Sequence, residues 1–358
     1  MIDSLGPGGS QRVLTWMADR WVHQGDEVSL LTYVGEEDFF PLDRKVHRIK
    51  LSTGRTQPSG ARRLVTNIGR VVKLRRSLKS QRPDAVISFI HRTNVSTLLA
   101  TLGLGIPVVV SERIDPSQEP LPPIWAKLRA FTYPKAAVVV VQTHSAARWL
   151  DEACPRTDIV ILPNPLPSVA EAERWRPDTA EPLVLGVGRL HRQKGFDVLL
   201  RAFQVCAQQH PDWRLEILGE GDIRPELEEL ATKLGLSDRV SMQGAVPDVL
   251  KRLQRAAIFV LSSNFEGFPN ALLEAVAVGV PTISTSCRSG PDEIIDHMKN
   301  GVLVPVGDVT LMASAMAALM DDRALRATLA SNTAEIVTRL EEERVFRQWD
   351  ELVRGLIK

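Results

Sequence analysis

Cysteine is scarce in this sequence. The three cysteines, Cys154, Cys206 and Cys287, lie far apart in the chain and form no Cys-x-x-Cys pair. Neither a disulfide framework nor a cysteine-based zinc site is therefore predicted. A reducing compartment fits this composition.

Long apolar runs are also absent. No run is longer than Ala136–Val141, which is far too short to cross a bilayer. The opening residues Met1-Ile-Asp-Ser4 carry no basic-then-apolar leader. We therefore expect a cytoplasmic protein that is at most peripheral on the inner face of the cell membrane.

A strong net charge is missing as well. The formal charge is +1, which argues against a general nucleic-acid binder. The charge is unevenly distributed, however, with +7 in residues 1–165 and −6 in the remainder. Residues 60–82 contain eight basic residues and no acid: Arg62, Arg63, Arg70, Lys73, Arg75, Arg76, Lys79 and Arg82. An acidic partner is expected for this half of the chain.

Short apolar runs alternate with longer segments of helical period along all 358 residues. This pattern predicts an α/β fold with two parallel sheets. The expected strands are 28–32, 84–90, 106–111, 136–141 and 159–162 in the first domain, and 183–187, 213–218, 240–243, 257–262 and 281–284 in the second. We predict a first domain over 1–165, a proline-rich linker over 166–182 and a second domain over 183–340. Two Rossmann-like domains would then face each other across a cleft, with ligands beyond the carboxyl ends of the strands.

The segment from Glu266 to Glu274 carries the clearest chemical signal. It places two carboxylates around a Gly267-Phe-Pro-Asn270 corner, between a predicted strand and a predicted helix. A helix N-terminus directs N–H groups and positive dipole outward, so the corner suits a diphosphate. Phosphate repels carboxylates, so Glu266 and Glu274 are interpreted as acceptors for sugar hydroxyls; the alternative is two solvated surface acids. This is the layout that a nucleotide-sugar site needs. The residues predicted to bind the nucleotide-sugar donor here are Gly267, Phe268, Pro269, Asn270, Ala271, Leu272 and Glu274.

Two cations follow the first strand of the second domain. Arg189 and Lys194 lie in a turn bracketed by Gly188 and Gly195. In glycosyl transfer the nucleoside diphosphate leaves with growing negative charge. An arginine and a lysine can stabilise this charge in place of Mg²⁺. The alternative is two solvated residues in a surface loop.

Further candidates lie in the first domain. Gly8 and Gly9 open a helix, where their N–H groups could approach a donor phosphate or an acceptor, or merely form a tight turn. His91, Glu112 and Arg113 follow predicted strands and are candidates for the acceptor side, although a lone histidine is more often structural.

The Glu-x7-Glu segment resembles the signature of retaining glycosyltransferases of family 4, which have the two-domain GT-B fold. Six further blocks extend the resemblance over nearly the whole chain: 6–10, 111–116, 162–165, 188–195, 219–222, and 287–293 followed by 300–305. Within the family, the Ser111-Glu-Arg113 and Ser289-Gly-Pro291 blocks are most similar to bacterial enzymes that extend polyprenyl-diphosphate-linked glycans. Examples are amylovoran-type exopolysaccharide transferases and the hexosaminyl transferases of bacterial N-glycan assembly.

The resemblance implies specific roles. Glu266 would lie near the reacting sugar and, with Arg189 and Lys194, form the catalytic set, while Glu274 would bind the ribose of the nucleotide. The implied reaction moves a sugar from a UDP-hexose or UDP-N-acetylhexosamine to a polyprenyl-diphosphate-linked saccharide, with retention and without a metal or other cofactor. The last helix, over 341–358, is expected to cross back to the first domain. Two alternatives stay open: a non-transferase of the same fold, such as an epimerase or phosphorylase, and an inactive sugar-binding partner of an assembly complex.

The basic stretch 60–82 also has apolar residues at helical spacing, which predicts a cationic amphipathic helix. Such a helix can lie on an anionic membrane or bind a lipid diphosphate, with Arg70, Lys73, Arg75 and Arg76 as candidate contacts. The alternative is a solvated charged face.

The first strand is expected to be cut short. Family members usually begin with five or six apolar residues before the glycine-rich loop, whereas only Met1-Ile2 precede Asp3 here. Either a misassigned start or a tolerated truncation explains this pattern, and lost apolar burial would lower stability.

Overall fold

The computed structural model describes residues 1–6, 8–34, 38–51, 61–118 and 121–357, with side chains from residue 66 onward in the helix that begins at Ala61. The chain forms two compact units. The first comprises Met1–Asn164 and Glu343–Lys358, and the second comprises Pro165–Glu342.

The first unit contains short parallel strands, of which the fourth and fifth are rich in valine. They are β1 (Ser29–Thr32), β2 (His47–Lys50), β3 (Val86–Phe89), β4 (Val108–Ser111), β5 (Val138–Val141) and β6 (Ile159–Ile161). Strands β1 and β2 form one sheet, and β3 to β6 form another in sequence order. Residues 1–2 lie between the two sheets, because Ile2 pairs with Thr32 and the carbonyl of Met1 accepts a hydrogen bond from Phe89. β-Branched side chains suit strands that are buried on both faces.

Five helices of the first unit follow this order in the chain: α1 (Gly9–Gln24), α2 (Ala61–Gln81), α3 (His91–Thr101), α4 (Pro123–Thr132) and α5 (His144–Ala153). Helix α1 ends at Gly25, whose φ of 97° is the left-handed conformation that commonly terminates helices. The predicted cationic helix corresponds to α2.

The second unit has one six-stranded parallel sheet. Its strands are β7 (Glu181–Val187), β8 (Arg214–Leu218), β9 (Val240–Gly244), β10 (Ala256–Leu261), β11 (Thr282–Thr285) and β12 (Val302–Val304). The order across the sheet is β12-β11-β10-β7-β8-β9, so the direction of winding reverses between β7 and β10. Its helices are α6 (Phe196–Ala207), α7 (Arg224–Lys233), α8 (Val249–Arg255), α9 (Asn270–Val278), α10 (Val309–Asp321), α11 (Arg323–Ser331) and α12 (Ala334–Arg339). Separate apolar cores pack around this sheet, which is the doubly wound architecture.

Residues 166–182, expected to be a linker, lie within the second unit instead. Leu166 and Trp175 are buried in its core, and the Trp175 indole donates a 2.8 Å hydrogen bond to the carbonyl of Ala256. The prolines of this segment do not prevent packing because the tryptophan anchors it.

The last helix, α13 (Glu342–Leu356), packs in the first unit. Its apolar face includes Phe346 and Trp349, which join the core formed by α1 and the sheet. The indole of Trp21 donates a 3.0 Å hydrogen bond to Asp350. A strongly amphipathic C-terminal helix needs such an apolar surface to cover its buried face.

Candidate active site

The carboxyl ends of β7 and β10 lie side by side at the switch point of the second unit, because Leu185 pairs with Phe259 in parallel register. Each strand leads into a loop that carries predicted site residues. Strand β7 leads to Arg189 and Lys194, and β10 leads to Glu266 and Gly267. Ligands of open α/β sheets bind in the crevice at this position.

Several hydrogen bonds join the two loops. Gln193 donates through Nε2 to the carbonyl of Phe265 (2.9 Å), and the backbone N–H of Asn264 donates to the carbonyl of Gln193 (2.7 Å). Asn264 also donates through Nδ2 to the backbone carbonyl of Arg192 (2.7 Å), and the Ser262 hydroxyl donates to the Lys194 carbonyl (2.8 Å). Sequence reasoning missed these polar residues, since only the adjacency of β7 and β10 brings them together.

Lys194 and Glu266 form a largely buried ion pair in this crevice. The Lys194 ammonium lies 2.5 Å from Glu266 Oε1, and the Ser263 hydroxyl donates to the same oxygen at 2.6 Å. Oε2 of Glu266 makes no hydrogen bond within the described part of the chain. The pair fixes one carboxylate oxygen and leaves the other available to a ligand. Beneath it, burial and the negative charge of Glu266 raise the pKa of the Cys287 thiol to about 12.

Arg189 differs from Lys194 in its surroundings. Its side chain is exposed, and it makes no hydrogen bond or ion pair with any described residue. An unpaired guanidinium in the same loop as Lys194 is placed to bind a bidentate anion such as a phosphate.

The Gly267–Asn270 corner has the predicted position, directly before α9. The Phe268 and Leu272 side chains are buried in the apolar core, so they hold the corner against the sheet. Ser289 donates a 3.3 Å hydrogen bond to the Gly267 carbonyl. Asn270 and Ala271 open the helix, where backbone N–H groups point outward.

Glu266 and Glu274 are 5% and 8% exposed, which excludes the alternative of two solvated surface acids. Burying a carboxylate is costly unless it is paired, so such positions indicate a function or a fixed network.

Two glycines of the β8 loop press against the β7 loop. A Cβ at Gly219, whose φ is +142°, would stand 1.9 Å from the Gly188 carbonyl oxygen, and one at Gly221 would stand 2.1 Å from that of Leu190. Only glycine allows this backbone approach beneath Arg189. The Gly219-Glu-Gly-Asp block of the sequence therefore supports the cationic loop.

Substitution of Gly219 tests this role. Gly219→Ala should destabilise the second unit by about 2–4 kcal/mol, because the clash is with backbone atoms that cannot turn away. Gly307→Ala is the matched control, since its φ is +76° and a Cβ there meets nothing within 4 Å. We expect the control to be destabilised by about 1 kcal/mol, because its only cost is the strained φ angle. Equal thermal unfolding midpoints for the two variants would contradict the packing argument.

In the first unit, His91 begins α3 and lines a cavity of about 370 Å³. Gly8 precedes the first residue of α1, Gly9, and approaches the side chain of Gln11, which lines the same cavity. Burial, followed by the charges of Arg92 and Arg129, lowers the pKa of His91 to about 4. His91 is therefore a neutral hydrogen-bonding group at pH 7.

This pKa has a consequence for stability. Unfolded histidine titrates near pH 6.5, so lowering the pH from 7 to 4 protonates the unfolded chain first and disfavours folding. The stability contributed by neutral His91 is present above pH 6.5 and is lost as the pH falls toward 4. Between pH 7 and 4.5, the free energy of unfolding of the wild type should fall by about 1–2 kcal/mol more than that of His91→Gln, allowing for partial solvent screening. Urea denaturation at the two pH values measures both. Equal losses of unfolding free energy in both proteins would contradict the lowered pKa of His91.

Glu112 and Arg113 occupy a buried network rather than this cavity. Glu112 accepts a 2.5 Å hydrogen bond from the Tyr133 hydroxyl and lies 3.9 Å from the Arg129 guanidinium. Arg113 donates to Asn164 at 2.5 Å and lies over the ring of Phe89, and burial lowers its pKa to about 9. The structure thus separates His91 from the other two acceptor candidates, whose roles stay predictions.

The four candidate lipid contacts of α2 fall into two groups, those with a partner in the first unit and those that are exposed. Arg70 points to Asp3, and Arg75 donates to the carbonyls of Ala100 in α3 and of Leu102, which follows this helix. Lys73 and Arg76 are exposed and make no hydrogen bond or ion pair with a described residue. The side chains of Arg62, Arg63 and Leu64 lie outside the described residues.

No helix in the described ranges is both long enough and apolar enough to span a membrane. Within the same ranges, no three His, Cys, Asp or Glu side chains are grouped so that they could hold a metal ion.

Solved structures share this architecture. Sucrose-phosphate synthase from Thermosynechococcus elongatus matches 99% of this chain and 94% of its own, with a TM-score of 0.85 and 21% identity. Anabaena HepE in complex with UDP and glucose matches 99% of this chain and 98% of its own, with a TM-score of 0.83 and 18% identity. Two Rossmann-like units with parallel sheets, one carrying a cationic loop at its switch point, define a protein of the GT-B fold. The predicted fold class is confirmed.

The family follows from the sequence comparisons. Residues 8–165 match the glycosyl transferase 4-like domain, and residues 170–336 match the glycosyl transferases of group 1. The chain belongs to this family and is a glycosyltransferase, so the predicted enzyme class is confirmed.

Curated relatives agree with this assignment. An α-1,4-N-acetylgalactosaminyltransferase of Campylobacter jejuni, whose name specifies a diphospho-undecaprenol-linked substrate, is 27% identical over 99% of this chain and 97% of its own length. The amylovoran biosynthesis glycosyltransferase AmsD of Erwinia amylovora is 25% identical over 99% of this chain and 98% of its own. An exopolysaccharide phosphotransferase of Streptomyces coelicolor is 32% identical over 80% of this chain, but the chain spans only 30% of that longer protein.

Proposed function

We propose that this glycosyltransferase acts with retention in bacterial surface polysaccharide or glycan assembly. It moves a sugar from a UDP-hexose or UDP-N-acetylhexosamine to a polyprenyl-diphosphate-linked saccharide at the cytoplasmic face of the membrane. The observation that carries the proposal is the buried Lys194–Glu266 pair in the same crevice as the unpaired Arg189. The UDP bound to HepE and the lipid-linked substrate named for the Campylobacter relative support it.

The donor diphosphate would bind to the cations and the helix terminus of the second unit. Arg189 is free to take two phosphate oxygens, and the Lys194 ammonium keeps two of its three donors after binding Glu266. The N–H groups at the start of α9 add positive potential. Glu274 on α9 would bind the ribose diol. These groups supply the charge that a metal supplies in other transferases, so the proposed reaction is independent of metal.

Glu266 would orient the transferred sugar. Its Oε1 is held by Lys194 and Ser263, which directs Oε2 toward a sugar hydroxyl. In a front-face mechanism the leaving phosphate oxygen takes the proton of the acceptor hydroxyl while the new glycosidic bond forms on the same face. The enzyme then needs no side-chain base, and Glu266 acts by position and charge.

Approach to the lipid acceptor would involve the exposed face of α2. Ile68 and Val72 are 57% and 41% exposed, and Lys73, Arg76 and Lys79 are exposed on the same helix. Exposed apolar residues flanked by cations suit the interface of an anionic membrane.

One assay tests the proposal as a whole. The protein is incubated with radiolabelled UDP-sugars and with undecaprenyl-diphosphate-linked saccharides extracted from bacterial membranes, with and without EDTA. We expect transfer of one labelled sugar to the lipid fraction, unchanged by EDTA, with the anomeric configuration of the donor retained in the product. Free-sugar release without transfer, or phosphate-dependent turnover, would indicate a non-transferase; loss of activity in EDTA with recovery in Mn²⁺ would overturn the metal-independent assignment.

A further inference from the structure

The cavity of the first unit lies where strands open into helices. Tyr33 follows β1, His91 begins α3 after β3, and Arg70 of α2 and Trp125 of α4 complete the lining. All of these elements belong to the first unit, so the cavity is built without the residues of the donor crevice. Its volume of about 370 Å³ is in the range of small-molecule sites.

Two arginines give the cavity a positive charge. Arg92 lies over the Trp125 ring at 5.8 Å, its Nε is buried without a hydrogen bond, and no described carboxylate is within ion-pair distance of it. Arg70 lies over the Tyr33 ring at 5.1 Å, and its ion pair with Asp3 is long, at 3.6 Å. Since Asp3 is the only acid that lines the cavity among the described residues, two guanidinium groups face one carboxylate.

The rest of the lining suits a carbohydrate. Tyr33 and Trp125 offer aromatic surface, and His91 is neutral at pH 7 and can bind a hydroxyl. The other polar groups of the wall are hydroxyls and amides, including Ser4, Gln11, Asn67, Thr93 and Ser96. Such groups form many directional hydrogen bonds and add no charge.

We infer that this cavity holds the acceptor saccharide and selects one that bears an oxyanion, which Arg70 and Arg92 bind. The inference rests on the proposed function and names the class of its acceptor. The oxyanion has two sources by chemistry: the carboxylate of a uronic acid, or a phosphate, either on the sugar or in the diphosphate that links the saccharide to the lipid. Both offer planar or tetrahedral oxygen pairs that match the guanidinium fork.

Three small saccharides distinguish these sources when titrated into the full chain by NMR. The probes are methyl glucuronide, glucose 1-phosphate and, as the neutral reference, methyl glucoside. At least one charged probe should bind with a Kd of about 1 mM and at least about tenfold more tightly than the glucoside. Preference for the glucuronide identifies a uronate, and preference for glucose 1-phosphate identifies a phosphate.

Variants locate the binding. Arg70→Gln with Arg92→Gln should remove the preference, whereas Arg44→Gln with Lys45→Gln, which removes the same two charges from exposed positions of the first unit, should keep it. Arg92→Lys with wild-type Arg70 checks folding and should retain part of the preference. Equal binding of all three probes, no binding of either charged probe, or a preference that survives the double variant overturns the inference.

UDP titrated into the same samples keeps the two proposals separate. If UDP binds and the saccharides do not discriminate, the inference fails while the donor site stands. If UDP does not bind the wild type, the proposed function itself fails.

Discussion

Glu266→Gln is expected to lower kcat by about 100-fold, or about 2.7 kcal/mol of transition-state stabilisation. The amide keeps the shape of the side chain but loses the charge that pairs with Lys194 and orients the sugar. The donor KM should change less than threefold, because the diphosphate is bound by other groups. Steady-state kinetics with the UDP-sugar identified by the transfer assay measure both constants.

Two further variants make the result specific. Glu274→Gln removes the charge of an equally buried acid, and it should mainly raise the donor KM because this residue is assigned to the ribose. Glu226→Gln removes an exposed acid that pairs with Arg192, and it should leave both constants within a factor of about two. If Glu266→Gln and Glu274→Gln lowered kcat equally, or neither changed the kinetics, the separate roles would be wrong.

Neutralising the exposed cations of α2 should release the enzyme from anionic vesicles. Each surface cation contributes about 1 kcal/mol near such a membrane, so Lys73, Arg76 and Lys79 all changed to Gln should weaken binding by about 100-fold. The difference from wild type should shrink as salt rises, because screening removes the advantage of the native charges. Sedimentation with phosphatidylglycerol-containing vesicles measures the binding.

The matched control changes Lys233, Lys251 and Arg255 to Gln, which lowers the net charge equally but on α7 and α8 of the second unit. It should bind vesicles like the wild type. Equal losses in the two triple variants would mean that net charge, and not the face of α2, determines binding. Unchanged sedimentation of the α2 variant would leave this helix as a solvated surface.

Much of the architecture follows from local pattern. Each predicted strand overlaps an observed one because fully buried parallel strands are continuous apolar runs, as in Val138–Val141. The pattern missed β2 and β12, which lie at sheet edges and are three or four residues long. The sequence of β2, His-Arg-Ile-Lys, is polar, and the apolar Val-Leu-Val of β12 is only three residues long, so neither forms a distinct apolar run of strand length. The prolines of 166–182 indicate breaks in regular structure, but they do not show that Trp175 is buried in the core of the second unit.

The sequence by itself determined the residue types and the local elements of the site: the glycine-bracketed cations, the Glu266–Glu274 corner before a helix, and the cationic helix α2. Only the tertiary structure decided which of them meet. The pairing of Lys194 with Glu266 spans 72 positions and exists because β10 inserts beside β7, a strand order that no local periodicity encodes. Packing likewise divided the α2 cations, turning Arg70 and Arg75 inward and leaving Lys73 and Arg76 exposed. Helical spacing defines the face on which a charge lies, but only a neighbouring helix or loop determines whether that charge is paired.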